Sequence, residues 1–86
     1  MISRKSAKYN NKGWSFKERE YEVLSLLGGE KYEVIAENLG RTVFIIANDH
    51  KAIQLIFKRE DTRVSKQFKT QVQAVLLNFI AKILKE

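Results

Sequence analysis

The sequence contains no cysteine and no proline, and its 86 residues include only four glycines and one histidine. Without cysteine the chain has no disulfide, no thiolate zinc site and no cysteine nucleophile, which fits an intracellular protein. One histidine cannot build a metal site alone. The scarcity of proline and glycine disfavours a turn-rich sheet. We therefore expect an all-α protein without a cofactor.

Long apolar runs are also lacking. No segment approaches the roughly 18 apolar residues of a membrane-spanning helix, and the N-terminus has no apolar stretch of the kind found in signal peptides. A chain of 86 residues is too short for two stable cores. These features predict one soluble domain that does not enter a membrane.

Basic residues outnumber acidic ones, with 16 Lys and Arg against 10 Asp and Glu and a formal net charge of +6. This excess favours a polyanionic partner. Residues 1–13 are polar and aperiodic, so we expect a flexible basic arm there. Its cations are Arg4, Lys5, Lys8 and Lys12. Six of the ten acids lie between residues 17 and 37.

The first predicted helix begins after Ser15, because Ser15 and Glu18 have the spacing of a capping box, and it ends at Gly28-Gly29. Helical periodicity divides its residues into two faces. The predicted inner face comprises Phe16, Tyr21 or Val23, Leu24 and Leu27. The predicted solvent face comprises Glu18, Arg19, Glu22 and Ser25.

The second predicted helix begins at Glu30 or Lys31 and ends at Gly40. A glycine there favours a left-handed helix stop, and Thr42 can cap the next helix through its hydroxyl. Two helices joined by a three-residue corner are typical of a helix-turn-helix. The predicted inner face is Tyr32, Ile35, Ala36 and Leu39.

The third predicted helix spans about residues 42–57. Its expected inward positions are Ile46, Asp49 or His50, Ile53 and Phe57, and its expected outer positions are Phe44, Asn48, Lys51 and Leu55.

A fourth helix is predicted from a cap at Asp61 or Thr62 to about Lys85. Its apolar stripe comprises Val64, Phe68, Val72, Val75, Phe79 and Ile83, widened by Leu76, Ile80 and Leu84. Such a stripe either completes a monomer core or pairs with a second copy in a homodimer.

Three segments resemble a Myb/SANT repeat over about residues 14–54. They are Trp14-Ser15-Phe16-Lys17-Glu18, Tyr32-Glu33-Val34-Ile35-Ala36 and Leu39-Gly40-Arg41-Thr42, with Ile46 and Asn48 following. The resemblance implies a three-helix unit with core aromatic positions at Trp14, Tyr32 and, as a departure, His50. A weaker similarity to LuxR-type regulators and sigma-factor region four rests on residues 18–24, Ile35-Ala36 and Leu39.

The resemblance implies that the third helix contacts duplex DNA. Asn48 matches a base-reading asparagine, and we expect Lys51 and Phe44 beside it on the bases. The expected backbone contacts are Arg41, Thr42, Lys58, Arg59, Arg4, Lys5, Lys8 and Lys12. Arg63, Lys66 and Lys69 extend the basic set. Ala47, Val43 and Phe44 stand where such repeats usually carry polar residues, which predicts modest sequence specificity.

The sequence thus predicts a flexible basic arm (1–13), a three-helix DNA-binding unit (14–57) and a C-terminal helix (61–86). We expect an architectural or regulatory protein that works with DNA in a nucleus, nucleoid or virion, and no enzyme. The richness in Asn, Lys and Ile is typical of an AT-rich genome, such as a viral one. The alternative is a SANT-type module that binds a basic or apolar protein segment.

Overall fold

The computed structural model describes residues 13–85 and contains four α-helices in that range. They are α1 (Phe16–Leu27), α2 (Tyr32–Leu39), α3 (Val43–Lys58) and α4 (Lys66–Lys85). No strand occurs among the described residues, so the all-α prediction is confirmed. The predicted arm lies outside them except for Gly13.

Local signals set both ends of α1 as the sequence predicts. The Ser15 hydroxyl accepts a hydrogen bond from the Glu18 backbone N–H, and the Glu18 carboxylate accepts one from the Ser15 N–H, which completes the capping box. Gly28 caps the C-terminus, and Gly29 turns the chain with a φ of 86°. The chain can then enter α2 after two further residues.

The corner between α2 and α3 also forms as predicted. Gly40 adopts the left-handed conformation, with φ 67° and ψ 34°, which a residue bearing a Cβ adopts only with strain. Thr42 caps α3 by accepting a hydrogen bond from the Ile45 N–H at 3.2 Å. These contacts place the start of α3 directly beside the end of α2.

The start of α4 differs from the prediction. The helix begins at Lys66, and Ser65 accepts a hydrogen bond from the Phe68 N–H at 3.2 Å in the manner of an N-cap. The predicted cap Asp61 instead binds Lys69 Nζ at 2.8 Å, and its carbonyl accepts a bond from the Val64 N–H. The Lys69 ammonium accordingly lowers the pKa of Asp61. The predicted start at residues 61–62 is therefore wrong.

All four helices contribute to one core. Its fully apolar members are Val23, Leu26, Ile35, Ala36, Ile46, Ile53, Val72 and Val75. Half-buried Trp14, Tyr32, Leu39, Ile56 and Phe68 are among the side chains that pack against it. The N-terminal half of α4 supplies Val72 and Val75, so α4 completes the core through this half by packing against α1 and α3.

Several predicted inner positions are wrong. Phe16 and Leu27 in α1 and Phe57 in α3 are exposed. Leu26 is buried where Leu27 was predicted to be, and Ile56 packs against the core where Phe57 was predicted to do so. The inner face of α1 is rotated from the predicted one, because residues 19, 22, 23 and 26 point inward together.

The main difference from the prediction concerns two charged side chains of α1 that were expected to face water. Arg19 and Glu22 are buried beside Val23 and Leu26. The Arg19 guanidinium donates to Glu22 Oε1 at 2.8 Å and to Asp49 Oδ2 at 3.0 Å. Its Nε donates to Gln71 Oε1 at 2.8 Å. We call Arg19, Glu22, Asp49 and Gln71, with the rings of Trp14 and Phe68 that flank the guanidinium, the Arg19 cluster.

The cluster contains one guanidinium and two carboxyl groups, so a proton is needed to balance its charges. Burial and the neighbouring Asp49 carboxylate raise the pKa of Glu22 from its ordinary value of 4.5 to about 9, although Arg19 opposes the shift. Glu22 Oε2 is buried without another partner among the described residues. A protonated Glu22 can donate a hydrogen bond to the neighbouring Asp49 carboxylate, which leaves the cluster neutral at pH 7.

We predict that Glu22→Gln makes the protein more stable at alkaline pH. Between pH 4.5 and about 9 only the folded state holds the Glu22 proton, so raising the pH favours the unfolded state by up to about 1.4 kcal/mol per unit. Glutamine reproduces the neutral acid. In urea titrations from pH 5 to 9, we expect the variant to exceed the wild type by roughly 2 kcal/mol or more at pH 8.5.

The matched control is Glu33→Gln, which removes an exposed carboxylate from α2. It should leave the pH dependence of the wild type unchanged. Identical pH profiles for wild type and Glu22→Gln would show that Glu22 carries no proton in the folded state.

Candidate nucleic-acid interface

One side of α3 is exposed along its length. Phe44, Asn48, Lys51 and Lys58 are spaced by four, three and seven residues, which places them on one face of a helix. All four are exposed, whereas Ile46 and Ile53 on the opposite side are buried. We call these four residues the α3 outer stripe. Leu55 lies within it and is half-buried.

The first turn of α3 presents apolar atoms to solvent. Phe44 is 72% exposed, and its neighbours Val43 and Ile45 are also exposed. Thr42 precedes them, and its hydroxyl is engaged in the cap of the helix. This turn can make apolar contacts with a partner, while Asn48 and Lys51, one and two turns further, supply polar ones.

The connection from α3 to α4 is basic. Lys58, Arg59, Arg63 and Lys66 are exposed, and none of them forms a salt bridge with another described residue. We call these four residues the basic connection. Lys69, which the sequence groups with them, is paired with Asp61 at 2.8 Å. Four of the eight cations that form no salt bridge among residues 13–85 therefore lie at the C-terminal end of α3 and the approach to α4, and the other four are Lys17, Lys31, Lys51 and Lys85.

Arg59 ends α3 in a conformation that is unusual for arginine. Its φ is 62° and its ψ 32°, the left-handed region, and it is the one non-glycine residue with positive φ among residues 13–85. The chain caps α2 with glycine in the same conformation at Gly40. A side chain at this position costs about 1 kcal/mol relative to glycine. The arginine is thus present where glycine would be less strained.

Arg41 is held within the fold, contrary to its predicted role on a phosphate. Its side chain is only 8% exposed, it donates to Glu18 Oε1 at 3.2 Å, and its guanidinium lies 4.0 Å from the centre of the Trp14 ring. A phosphate would have to displace the Glu18 carboxylate. Arg41 therefore stabilises the junction between the corner and the start of α1, and it is not available on the surface.

The three predicted core aromatic positions are half-buried. Trp14 lies between two guanidiniums, with Arg19 at 3.9 Å and Arg41 at 4.0 Å from the ring centre. The Tyr32 hydroxyl and His50 Nδ1 are 2.7 Å apart, and the two rings meet edge to face at 5.6 Å. His50 is thus occupied in linking α3 to α2.

The α3 outer stripe contains no acidic side chain, but Glu60, between Arg59 and Arg63 of the basic connection, is exposed. Glu30, Glu33 and Glu37 are exposed in or just before α2. Glu18 pairs with Arg41, and Glu20 approaches Lys82 at 3.8 Å. The exposed acids of the described residues are therefore most numerous in and just before α2.

The remaining predicted contacts, Arg4, Lys5, Lys8 and Lys12, lie outside the described residues. Within residues 13–85 no three side chains of the His, Asp and Glu type are grouped to hold a metal ion. None of the described helices is both long and apolar enough to cross a membrane.

No family model, curated protein or solved structure matches the chain.

We predict that Arg59→Gly stabilises the fold, because glycine adopts the left-handed conformation without the Cβ strain. The free energy of unfolding should rise by about 0.5–1 kcal/mol in a urea titration. The control is Arg63→Gly, at an exposed position without a positive φ, which should destabilise slightly or have no effect. If Arg59→Gly lost as much stability as Arg63→Gly, the claim that Arg59 is strained in the folded state would be wrong.

Proposed function

We propose that the chain is a Myb/SANT-like DNA-binding protein that places α3 against duplex DNA. The α3 outer stripe from Phe44 to Lys51 faces the bases, and the basic connection, which includes Lys58, and the N-terminal arm contact the phosphates. The role is architectural or regulatory rather than enzymatic, and the protein works with DNA in a nucleus, nucleoid or virion.

The observation that supports this proposal is the group of exposed, unpaired cations at the end of α3 and in the connection to α4. Lys51 and the four residues of the basic connection are exposed and unpaired among the described residues. Most of the other arginine charge is used inside, where Arg19 and Arg41 are paired. A polyanion is the partner that such a group of cations attracts.

The α3 outer stripe carries three kinds of group suited to base edges. The Asn48 amide can pair bidentately with adenine, and the Lys51 ammonium can reach an acceptor on guanine or a phosphate. The Phe44 ring can contact a thymine methyl group. Only two of these contacts are polar, so binding is driven mainly by the backbone charge and its sequence preference is modest.

Arg59 adds a second line of support. A residue kept in a strained conformation often marks a functional site. At Arg59 the strain is accompanied by a cation that has no partner in the described fold. Contact with a phosphate would explain why an arginine, and not a glycine, ends α3.

We predict that binding to duplex DNA depends steeply on salt. Each phosphate contact contributes about −0.9 to the slope of log affinity against log salt concentration. Five contacts from Lys51 and the basic connection give a slope of about −4.5, and the arm makes it steeper. Fluorescence anisotropy with a labelled duplex between 50 and 300 mM salt measures this slope. Absence of affinity at the lowest salt concentration would refute the proposal.

Substitutions separate the two kinds of contact. Lys51→Ala and Arg59→Gly should each reduce the slope by about one, and Arg59→Gly should do so without loss of stability. Asn48→Ala should weaken binding to preferred sequences more than to others, by about 1–3 kcal/mol. Lys85→Ala, at the far end of α4, is the control and should change little. If deletion of residues 1–12 alone abolished binding, the assignment to α3 would fail.

The predicted homodimer is a separate part of the proposal. Val72 and Val75 in the N-terminal half of α4 are buried in the core of the same chain. Only the C-terminal half therefore remains to bind a second copy. A dimer would present two α3 surfaces to one duplex and so strengthen weak half-site contacts.

The alternative function, binding of a protein segment, is favoured by one observation. Val43, Phe44 and Ile45 expose an apolar turn, and α2, which precedes the corner, carries the exposed acids Glu33 and Glu37. A peptide that combines basic and apolar residues would fit such a surface. The double variant Glu33→Gln, Glu37→Gln distinguishes the functions, since it should weaken peptide binding and leave DNA binding unchanged or stronger.

A further inference from the structure

The C-terminal half of α4 carries apolar side chains that the described bundle leaves uncovered. Leu77 is 68% exposed and Leu84 79%, whereas Val72 and Val75 in the other half are fully buried. We call the following residues the α4 stripe: Leu76, which is half-buried and packs against the core, and exposed Leu77, Phe79, Ile80, Ile83 and Leu84. This half of the helix still contacts α1, because Asn78 donates to Glu20 Oε2 at 3.3 Å, but its stripe remains largely uncovered.

The α4 stripe contains no charged residue. This half of the helix has two lysines. Lys82 lies two positions after Ile80, and Lys85 lies two positions after Ile83. A separation of two positions is a rotation of about 200°, so each lysine lies on the opposite side of the helix from that stripe residue. Lys82 also approaches Glu20 of α1 at 3.8 Å. A second copy of the same surface can therefore approach the stripe without bringing like charges into the contact.

The area of the α4 stripe suits a dimer contact. A large side chain has about 180 Å² of accessible surface when it is fully exposed. Multiplying this area by the exposed fraction of each of the five most exposed members gives roughly 500 Å² of exposed surface per chain. Pairing of two copies would bury about 1,000 Å², which is near the lower limit for a specific interface. The exposed area of one chain lies in the upper part of the range of about 300–600 Å² found for the largest apolar patch of a monomer, and such patches are often functional.

We infer that the α4 stripe is a self-complementary contact through which two copies pair antiparallel, with their C-terminal half-helices crossing near Ile80. This inference rests on the homodimer part of the proposed function and not on DNA binding. A parallel pair would place side by side two helix C-termini, whose partial negative charges repel one another. The antiparallel pair separates these charges by the length of the contact.

The antiparallel arrangement specifies which residues meet. The stripe from residue 76 to residue 84 has Ile80 at its centre, so Ile80 lies beside Ile80 of the second copy. Leu84 lies beside Leu76 of the second copy. The two Leu84 residues are displaced by eight residues, about 12 Å along the helix axis, which is too far for a disulfide.

The absence of cysteine from the sequence makes this geometry directly testable. Ile80→Cys, Leu84→Cys and Leu76→Cys are prepared as single variants of the full chain and oxidised mildly at about 100 μM. Ile80→Cys should form a covalent dimer. Leu84→Cys alone should not, whereas an equimolar mixture of Leu84→Cys and Leu76→Cys should cross-link between the two variants.

Light scattering tests the contact without cross-linking. The wild-type mass should double between about 5 and 500 μM, and Ile80→Glu should remain monomeric. Ile80 is about half exposed, so circular dichroism should show that this variant keeps its fold. Val34→Glu, at an exposed apolar position on α2, which does not touch α4, should dimerise like the wild type.

The outcomes distinguish the separate claims. A wild-type protein that is monomeric at every concentration would overturn the inference and the homodimer, whatever its affinity for DNA. A dimer in which Leu84→Cys cross-links with itself as fast as Ile80→Cys would be parallel and would overturn the antiparallel geometry alone. A dimer that Ile80→Glu leaves intact would place the contact elsewhere.

Discussion

The buried guanidinium of Arg19 is the constraint on which the fold depends. It joins α1 to Asp49 of α3 and to Gln71 of α4, and Gln71 in turn donates to the Trp14 carbonyl just before α1. A cation inside a small core is tolerated only when its hydrogen-bond donors and its charge are matched. This requirement fixes the relative position of three helices more specifically than apolar packing does, because guanidinium contacts are directional.

The helix ends could be predicted from the sequence, because short-range chemistry determines them. Ser15, Gly40 and Thr42 act on backbone groups within a few residues, and each does what its position predicts. The predicted start of α4 is wrong, because Asp61 or Thr62 was the expected cap, whereas Ser65 caps the helix. Asp61 instead pairs with Lys69, a contact that the pattern of apolar residues does not show.

The inner face of α1 and part of the candidate site could not be predicted, for a single reason. Periodicity assigns charged residues to solvent, but the Arg19 charge is balanced by Asp49, 30 positions away, and Arg41 by Glu18, 23 positions away. Within the sequence around α1, the three-residue spacing of Arg19 and Glu22, with Trp14 nearby, was the only feature that could have indicated a buried ion pair. Exposed residues such as Asn48 and Lys51 need no such partner, and for them the helical pattern was sufficient.

Trp14 is the single tryptophan of the sequence, and its ring lies between the Arg19 and Arg41 guanidiniums. Its indole fluorescence therefore originates at one known place, where α1, the corner and α4 meet. Excitation at wavelengths that tyrosine does not absorb reports on this junction without an attached dye. The chain thus contains its own optical probe, whose signal can follow the assembly of the buried ion cluster during folding in real time.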